Sequence, residues 1–355
     1  MTDKETILVT GAGGFIGGWI AETLFLSRSA NVRAGIRSWS SAARIARFPI
    51  EITLCDVMDK ESIGRAMTGA SCVIHCVSGS REAIIQGTGN ILEVAKSQKL
   101  GRFVHLSTTE VYGNGRGKID ETFPCQFTGN LYGDAKLEAE KLCWNYYTQG
   151  LPVAVIRPSI VYGPFSRDWT VGFAQRLQSR NWGTFKGYGE GLCNLVYVAD
   201  LVSGILLAVH HERAVGEAFN LVGPETLTWN QYFQKFNAAL KLPALRVIDP
   251  ANAKWRAVAM DPIRSLGKFV LKHFKVPLRK MSQKYRPARE LLQYADKTMK
   301  TTPRIAELSL YNREARYLTT KASDMLGYQP AFGVDRGLDL SVQWLNNVGL
   351  VDQCS

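Results

Sequence analysis

The sequence predicts an α/β chain: a doubly wound parallel sheet followed by a smaller C-terminal lobe. Three observations predict it. Short apolar runs alternate with helix-spaced segments through the first half, as in strand–helix–strand units. The strand candidates are apolar throughout, as strands covered by helices on both faces are. The first of them runs into a glycine-rich turn that opens a helix. The 355 residues suffice for such a domain plus a second lobe.

In order, Thr6 to Thr10 is the first strand, and helical spacing follows from Gly14 to Leu26. Asn31 to Ile36 is a second strand, Ile52 to Leu54 a third, Cys72 to His75 a fourth, Phe103 to Leu106 a fifth and Pro152 to Ile156 a sixth. Helical patterns between them include Gly89 to Lys99 and Tyr132 to Tyr147. After about residue 165 the rhythm loosens, and two strand-like runs, Leu195 to Val198 and Ala218 to Leu221, return to the sheet or its neighbour. A closing pattern runs from Lys321 to Leu345. The expected division is a nucleotide-binding domain over 1–165, joined by about 194–222, and a lobe over 166–355.

The turn Thr10-Gly11-Ala12-Gly13-Gly14-Phe15-Ile16-Gly17 is the phosphate cradle of a Rossmann fold. Gly11 permits the tight turn, Gly14 the close approach of a pyrophosphate, and Gly17 the packing of helix on strand. The N–H groups at the helix start, Phe15 and Ile16 included, receive the anion. An acidic residue at the end of the second strand would read an NAD ribose. This chain offers Arg33 and Arg37 instead. The charged fork of Arg37 suits the 2′-phosphate of NADP. Asp56, with Val57 beside it, is placed to accept from the adenine amino group.

Tyr132-Gly133-Asp134-Ala135-Lys136 is YxxxK, and positions i and i+4 share a helix face. The Lys ammonium is expected to lower the phenol pKa, so that Tyr132 exchanges the proton that accompanies hydride transfer.

The fifth strand ends in Leu106-Ser107-Thr108-Thr109-Glu110-Val111-Tyr112-Gly113. With this segment the chain resembles the extended short-chain dehydrogenases/reductases of the NAD(P)-dependent epimerase/dehydratase superfamily. Gly87-Thr88-Gly89-Asn90-Ile91-Leu92, Arg157-Pro158-Ser159-Ile160-Val161-Tyr162-Gly163-Pro164, Leu326-Gly327-Tyr328-Gln329-Pro330 and Trp344 match further family segments in order. The resemblance covers about residues 6–235 and 320–346. It implies that Thr108 orients the reacting oxygen, with Ser107 the weaker candidate. It also implies that Cys76, Val77 and Pro158 line the dinucleotide. Ser78, Thr109, Asn194, Arg313 and Arg316 are candidate substrate contacts, and a homodimer through Tyr132 to Tyr147 is expected.

Glu110 and Arg37 separate members of the family. Dehydratases carry Thr-Asp-Glu where this chain has Thr108-Thr109-Glu110, and a Thr is a poor acid for a leaving hydroxyl. That argues against 4,6-dehydration and leaves Glu110 as an additional acid/base or a loop support. The first functional reading is modification of a nucleotide-diphosphate sugar by epimerisation or keto-sugar reduction, with NADP or NAD. The second is NADPH-dependent reduction of a non-sugar ketone, as in dihydroflavonol reductase-like or 3β-hydroxysteroid dehydrogenase-like enzymes. A non-enzymatic dinucleotide sensor would be expected to lose Tyr132 or Lys136.

Composition sets outer bounds. The seven cysteines form no CxxC pair and read as thiols of a reducing cytosol; no metal is expected. The first residues lack the features of a signal peptide, and no apolar run reaches membrane-spanning length. Of the net +12, the stretch from Lys254 to Lys300 carries +10: thirteen Lys/Arg against three Asp/Glu. Charge confined to one segment without a recognised motif argues against nucleic acid. The stretch 254–300 reads as a lobe helix with a solvated basic face, a peripheral membrane contact, or a diphosphate site together with Arg313 and Arg316.

Overall fold

The computed structural model describes residues 4–249, 251, 254–255, 258–259 and 303–351. The basic stretch 254–300, with the three readings placed on it, lies almost wholly outside the described residues.

In chain order the first elements are β1 (Thr6–Thr10), α1 (Phe15–Ser27), β2 (Asn31–Ile36), β3 (Glu51–Leu54), α2 (Lys60–Met67), β4 (Cys72–His75), α3 (Arg81–Ser97) and β5 (Arg102–Leu106). Then come β6 (Gly117–Ile119), α4 (Leu131–Thr148), β7 (Val153–Pro158), β8 (Ile160–Tyr162), α5 (Gly172–Gln178), β9 (Gly183–Phe185), β10 (Leu192–Cys193) and β11 (Leu195–Tyr197). The rest are α6 (Val198–His210), β12 (Ala218–Leu221), β13 (Leu227–Thr228), α7 (Trp229–Ala239), β14 (Arg246–Ile248), α8 (Ile305–Tyr311), β15 (Ala315–Tyr317), α9 (Thr320–Leu326) and α10 (Val334–Asn347). Among the described residues no helix is long and apolar enough to cross a membrane.

The chain divides into two compact units. One comprises Met1–Tyr162, Asn194–Glu225 and Arg316–Val334; the other comprises Gly163–Cys193, Thr226–Ala315 and Asp335–Ser355.

The first unit is built on a seven-stranded sheet in the order β12-β7-β5-β4-β1-β2-β3, and every neighbouring pair is parallel. The continuous apolar strands divide their side chains between two cores, because successive residues point to opposite faces. Ile7, Val9, Ile74, Val104 and Ile156 join α1, α6 and α9 in one core. Leu8, Val73, Phe103 and Val155 join α2, α3 and α4 in the other. Strand order reverses between β1 and β4, and their carboxyl ends open the crevice where such sheets bind ligands.

One boundary differs from the sequence expectation, and the two late strands take the two places it allowed. The helix read from Gly89 begins at Arg81, because Ser80 caps it by accepting from Ala83 N–H at 3.2 Å with Glu82 in its first turn. The two late strands separate: β12 becomes the sheet edge beside β7, while β11 pairs with β8 in a two-stranded parallel ribbon.

The second unit has an aromatic core of Phe173, Trp182, Phe185, Trp229 and Phe233, all buried. Arg176 lies 4.9 Å over Phe173 and 4.6 Å over Trp182 and pairs with Glu307 at 2.6 Å.

Candidate functional site

The glycine turn is stereochemically specified. Gly11 has φ +70°, a conformation that favours glycine, and a Cβ there would lie 3.1 Å from the Cys76 carbonyl oxygen. At Gly17 a Cβ would lie 2.4 Å from the Gly11 oxygen, so α1 meets the turn only with glycine at this position. Gly14 caps α1 without a side-chain hydrogen bond, and no acidic residue occupies the first turn. The N–H groups of Phe15 and Ile16 and the positive helix end therefore face a space suited to an anion.

Arg33 in β2 and Arg37 just after it separate clearly. Arg33 pairs with Glu51 at 2.6 Å and donates to the carbonyls of Ala66 (3.0 Å) and Thr68 (2.6 Å), so its charge is spent on the fold. Arg37 follows β2 directly and is exposed. Asp56, half-buried, accepts from the Met58 N–H at 3.0 Å. Buried Val57 is held by α3, since Asn90 Nδ2 donates to its carbonyl at 2.9 Å. A Cβ on Gly87 would lie 2.6 Å from Val57 Cγ2. Thr88 lies 3.2 Å from His75 Nε2, and His75 Nδ1 lies 2.8 Å from Thr10 Oγ1. The Gly87-Thr88-Gly89-Asn90 segment thus braces the ends of β1 and β4 and the turn after β3, a task that its sequence resemblance did not disclose.

At the end of β5 three successive residues meet α4. The Leu106 carbonyl accepts from Lys136 Nζ at 2.8 Å. The Ser107 hydroxyl donates to Glu140. The Thr108 hydroxyl lies near the Tyr132 phenol, close enough to lower it, and accepts from the Glu110 N–H at 3.2 Å. Ser107, the weaker sequence candidate, therefore has its hydroxyl engaged away from Tyr132.

Local sequence explains this docking. Asn130 caps α4 by accepting from the N–H groups of Tyr132 (3.1 Å) and Gly133 (3.3 Å). It also donates to Glu110 Oε2 at 3.2 Å. A Cβ on Gly133 would lie 3.0 Å from the Glu110 carbonyl oxygen, which explains the small residue after Tyr132.

The protonation pattern corrects one expectation. Tyr132 is 42% exposed as a residue, yet local desolvation of its hydroxyl and the Glu110 carboxylate push the phenol up to about 12, against a smaller lowering by Thr108. Lys136 does not lower it here. Its ammonium is buried and directed at the carbonyls of Leu106 and, at 3.3 Å, Val77. Desolvation holds that ammonium down at about 8. The Cys76 thiol is pushed up to about 12 by burial and stays protonated at neutral pH.

The remaining candidates are dispersed. Pro158 is buried at the end of β7. Ser78 and Arg316 are exposed, whereas Thr109 is buried at 3% exposure. Asn194 is buried and its Oδ1 accepts from the Tyr317 N–H at 3.2 Å. Arg313 belongs to the second unit, where its carbonyl accepts from the Leu192 N–H at 2.7 Å.

The chain is 29% identical over 252 residues to an uncharacterised UDP-glucose epimerase of Bacillus subtilis (strain 168), covering 62% of this chain and 77% of that protein. It is 30% identical over 239 residues to cinnamoyl-CoA reductase 1 of Oryza sativa subsp. japonica, covering 60% and 70%. Its fold is that of the UDP-glucuronic acid 4-epimerase of Bacillus cereus, solved with NAD: TM-score 0.71 at 19% identity, over 96% of each chain. Residues 7–222, which carry the glycine turn and the Thr108, Tyr132 and Lys136 cluster, match one family along their whole length, and the chain belongs to the NAD dependent epimerase/dehydratase family.

Proposed function

We propose that this protein transfers hydride between a nicotinamide dinucleotide and a carbon bearing an alcohol or ketone oxygen on a nucleotide-diphosphate sugar, as an epimerase or keto-sugar reductase. One observation carries the reading: Thr108 at the end of β5 and Tyr132 on α4 lie close together, one helical turn from a buried Lys136 ammonium held by the Leu106 carbonyl. The glycine cradle and free α1 N-terminus fit a pyrophosphate.

When bound, the dinucleotide supplies or accepts hydride at nicotinamide C4. Tyr132 holds the proton that must follow. A phenol near 12 is protonated at neutral pH and is a proton donor to an oxygen gaining negative charge. Thr108 donates a hydrogen bond to that same oxygen. Lys136 has three N–H donors; two are directed at carbonyls, and the third would hold a ribose hydroxyl of the bound dinucleotide. Because its folded value lies near 8, the ammonium is charged below pH 8 and loses its charge as pH rises through 8. Cofactor affinity and turnover are expected to fall along that limb. Lys136→Arg, which keeps its charge, should remove the limb while lowering the rate.

A specific observation favours a second reading. Arg37 is exposed at the ribose end of β2, where an acid would select NAD. NADPH preference is the mark of a net reductase, here of a non-sugar ketone or thioester. Arg37→Glu is expected to weaken NADP(H) at least tenfold and to favour NAD(H), since a charge-assisted hydrogen bond contributes about 1.5–3 kcal/mol. Fluorescence titration of both cofactors checks it, and equal affinities in wild type and variant would remove Arg37 from the site.

The deciding experiment combines that titration with turnover of UDP-glucose, UDP-glucuronic acid and cinnamoyl-CoA. Retained NAD and sugar interconversion without net NADH consumption support the sugar reading. Exchangeable NADPH consumed with the CoA thioester supports the second.

A further inference from the structure

Tyr132, Lys136 and Glu140 recur at intervals of four along α4 and therefore form one stripe. They meet Thr108, Leu106 and Ser107 respectively. Tyr132 and Lys136 belong to the proposed chemistry; Glu140 does not touch it. Yet Glu140 is 1% exposed, and both its oxygens accept hydrogen bonds in the interior. Besides Ser107, its oxygens accept from Arg157 Nε at 3.1 and 3.2 Å and from the Arg157 guanidinium at 2.7 Å. Arg157 also donates to the Tyr112 hydroxyl at 2.9 Å, and Tyr112 donates to Asn220 Oδ1 at 2.8 Å. One carboxylate thus ties α4 to the ends of β5 and β7.

Stability is a poor explanation for such a group. Burying two charges costs about as much as their attraction returns, and apolar replacements of equal volume are often neutral or better. What the charges do provide is register. Ser107 precedes Thr108, Arg157 precedes Pro158, and Glu140 lies one turn beyond Lys136. A slip of α4 by one residue would leave the carboxylate without both partners.

We propose that Ser107, Glu140 and Arg157 are positioning residues: they lock α4 against β5 so that Thr108 and Tyr132 share one oxygen, and they keep a negative charge one turn from the Lys136 ammonium. The proposal rests on the reading of Thr108, Tyr132 and Lys136 given above. The other titratable groups acting on Lys136 are Cys76, Cys143, His75 and His105. Burial keeps both thiols protonated and both imidazoles neutral. Glu140 is therefore the charged partner among them.

The test reads Lys136 directly and needs no substrate. The full chain is labelled with 13C at the lysine ε-carbon, the Lys136 resonance is assigned by its loss in Lys136→Met, and its titration midpoint is followed by NMR. Glu140→Gln is expected to lower the midpoint by roughly one pH unit, since an opposite charge nearby contributes shifts of that order. Ser107→Ala, a milder change, should lower it by less, and Ser107→Thr should return it to the wild-type value. If Glu140→Gln does not fold, as judged by circular dichroism, the Ser107 pair carries the test. A midpoint unmoved in Ser107→Ala and in any folded Glu140→Gln would overturn the proposal. Failure of the catalytic reading shows elsewhere, as unimpaired turnover in Tyr132→Phe, so the two failures are distinguishable.

Discussion

Tyr132→Phe is expected to lower turnover about 10³-fold, within the range that a positioned general acid or base contributes, while leaving dinucleotide affinity within about twofold. The asymmetry follows from the geometry. The variant removes the hydroxyl that meets Thr108 but leaves the glycine turn, the α1 N-terminus and the two carbonyl contacts of Lys136 in place. The aromatic ring survives, so packing at the start of α4 should change little. Single-turnover measurement of hydride transfer with the cofactor preloaded checks it. A variant that turns over at near-normal rate would remove Tyr132 from the chemistry, and Glu110, which faces the same phenol, would become the first alternative.

Arg157→Met is expected to be the most destabilising single change in the site region, costing about 3–5 kcal/mol. It leaves the Glu140 carboxylate in the interior with Ser107 as its remaining side-chain donor. It also takes a donor from the Tyr112 hydroxyl. Urea unfolding at neutral pH measures the loss. The sign of its pH dependence is diagnostic. An unpaired buried carboxylate has a raised folded-state pKa, so the folded variant takes up a proton more readily than the unfolded chain. The deficit relative to wild type should shrink as pH falls through that raised value. The double variant Arg157→Met/Glu140→Leu should recover most of the loss, because neither charge then remains in the interior. A single variant as stable as wild type would mean that water reaches Glu140.

The order of strands and helices was legible in the sequence because parallel strands covered on both faces must be apolar throughout, and the intervening helices must repeat near 3.6. The glycine turn was legible because stereochemistry allows so little else: Gly11 at φ +70° and Gly17 against the Gly11 oxygen exclude larger residues. The shared face of Tyr132 and Lys136 followed from helical spacing alone. Tertiary structure decided the rest, for reasons that involve residues far apart in the chain. Of the adjacent hydroxyls Ser107 and Thr108 the family resemblance ranked Thr108 first, but only the position of Glu140 on the packed helix shows what engages Ser107. Arg33 and Arg37 differ because Glu51 and the end of α2 claim the first and leave the second exposed. The phenol rises where sequence reasoning had it fall, because desolvation and Glu110 act on it more strongly than any group four residues along its own helix. Local patterns determined which elements form and where the cradle lies. Burial and long-range pairing determined which side chains remain free to do chemistry, because the cost of leaving a polar group unpaired is set by its surroundings in the fold.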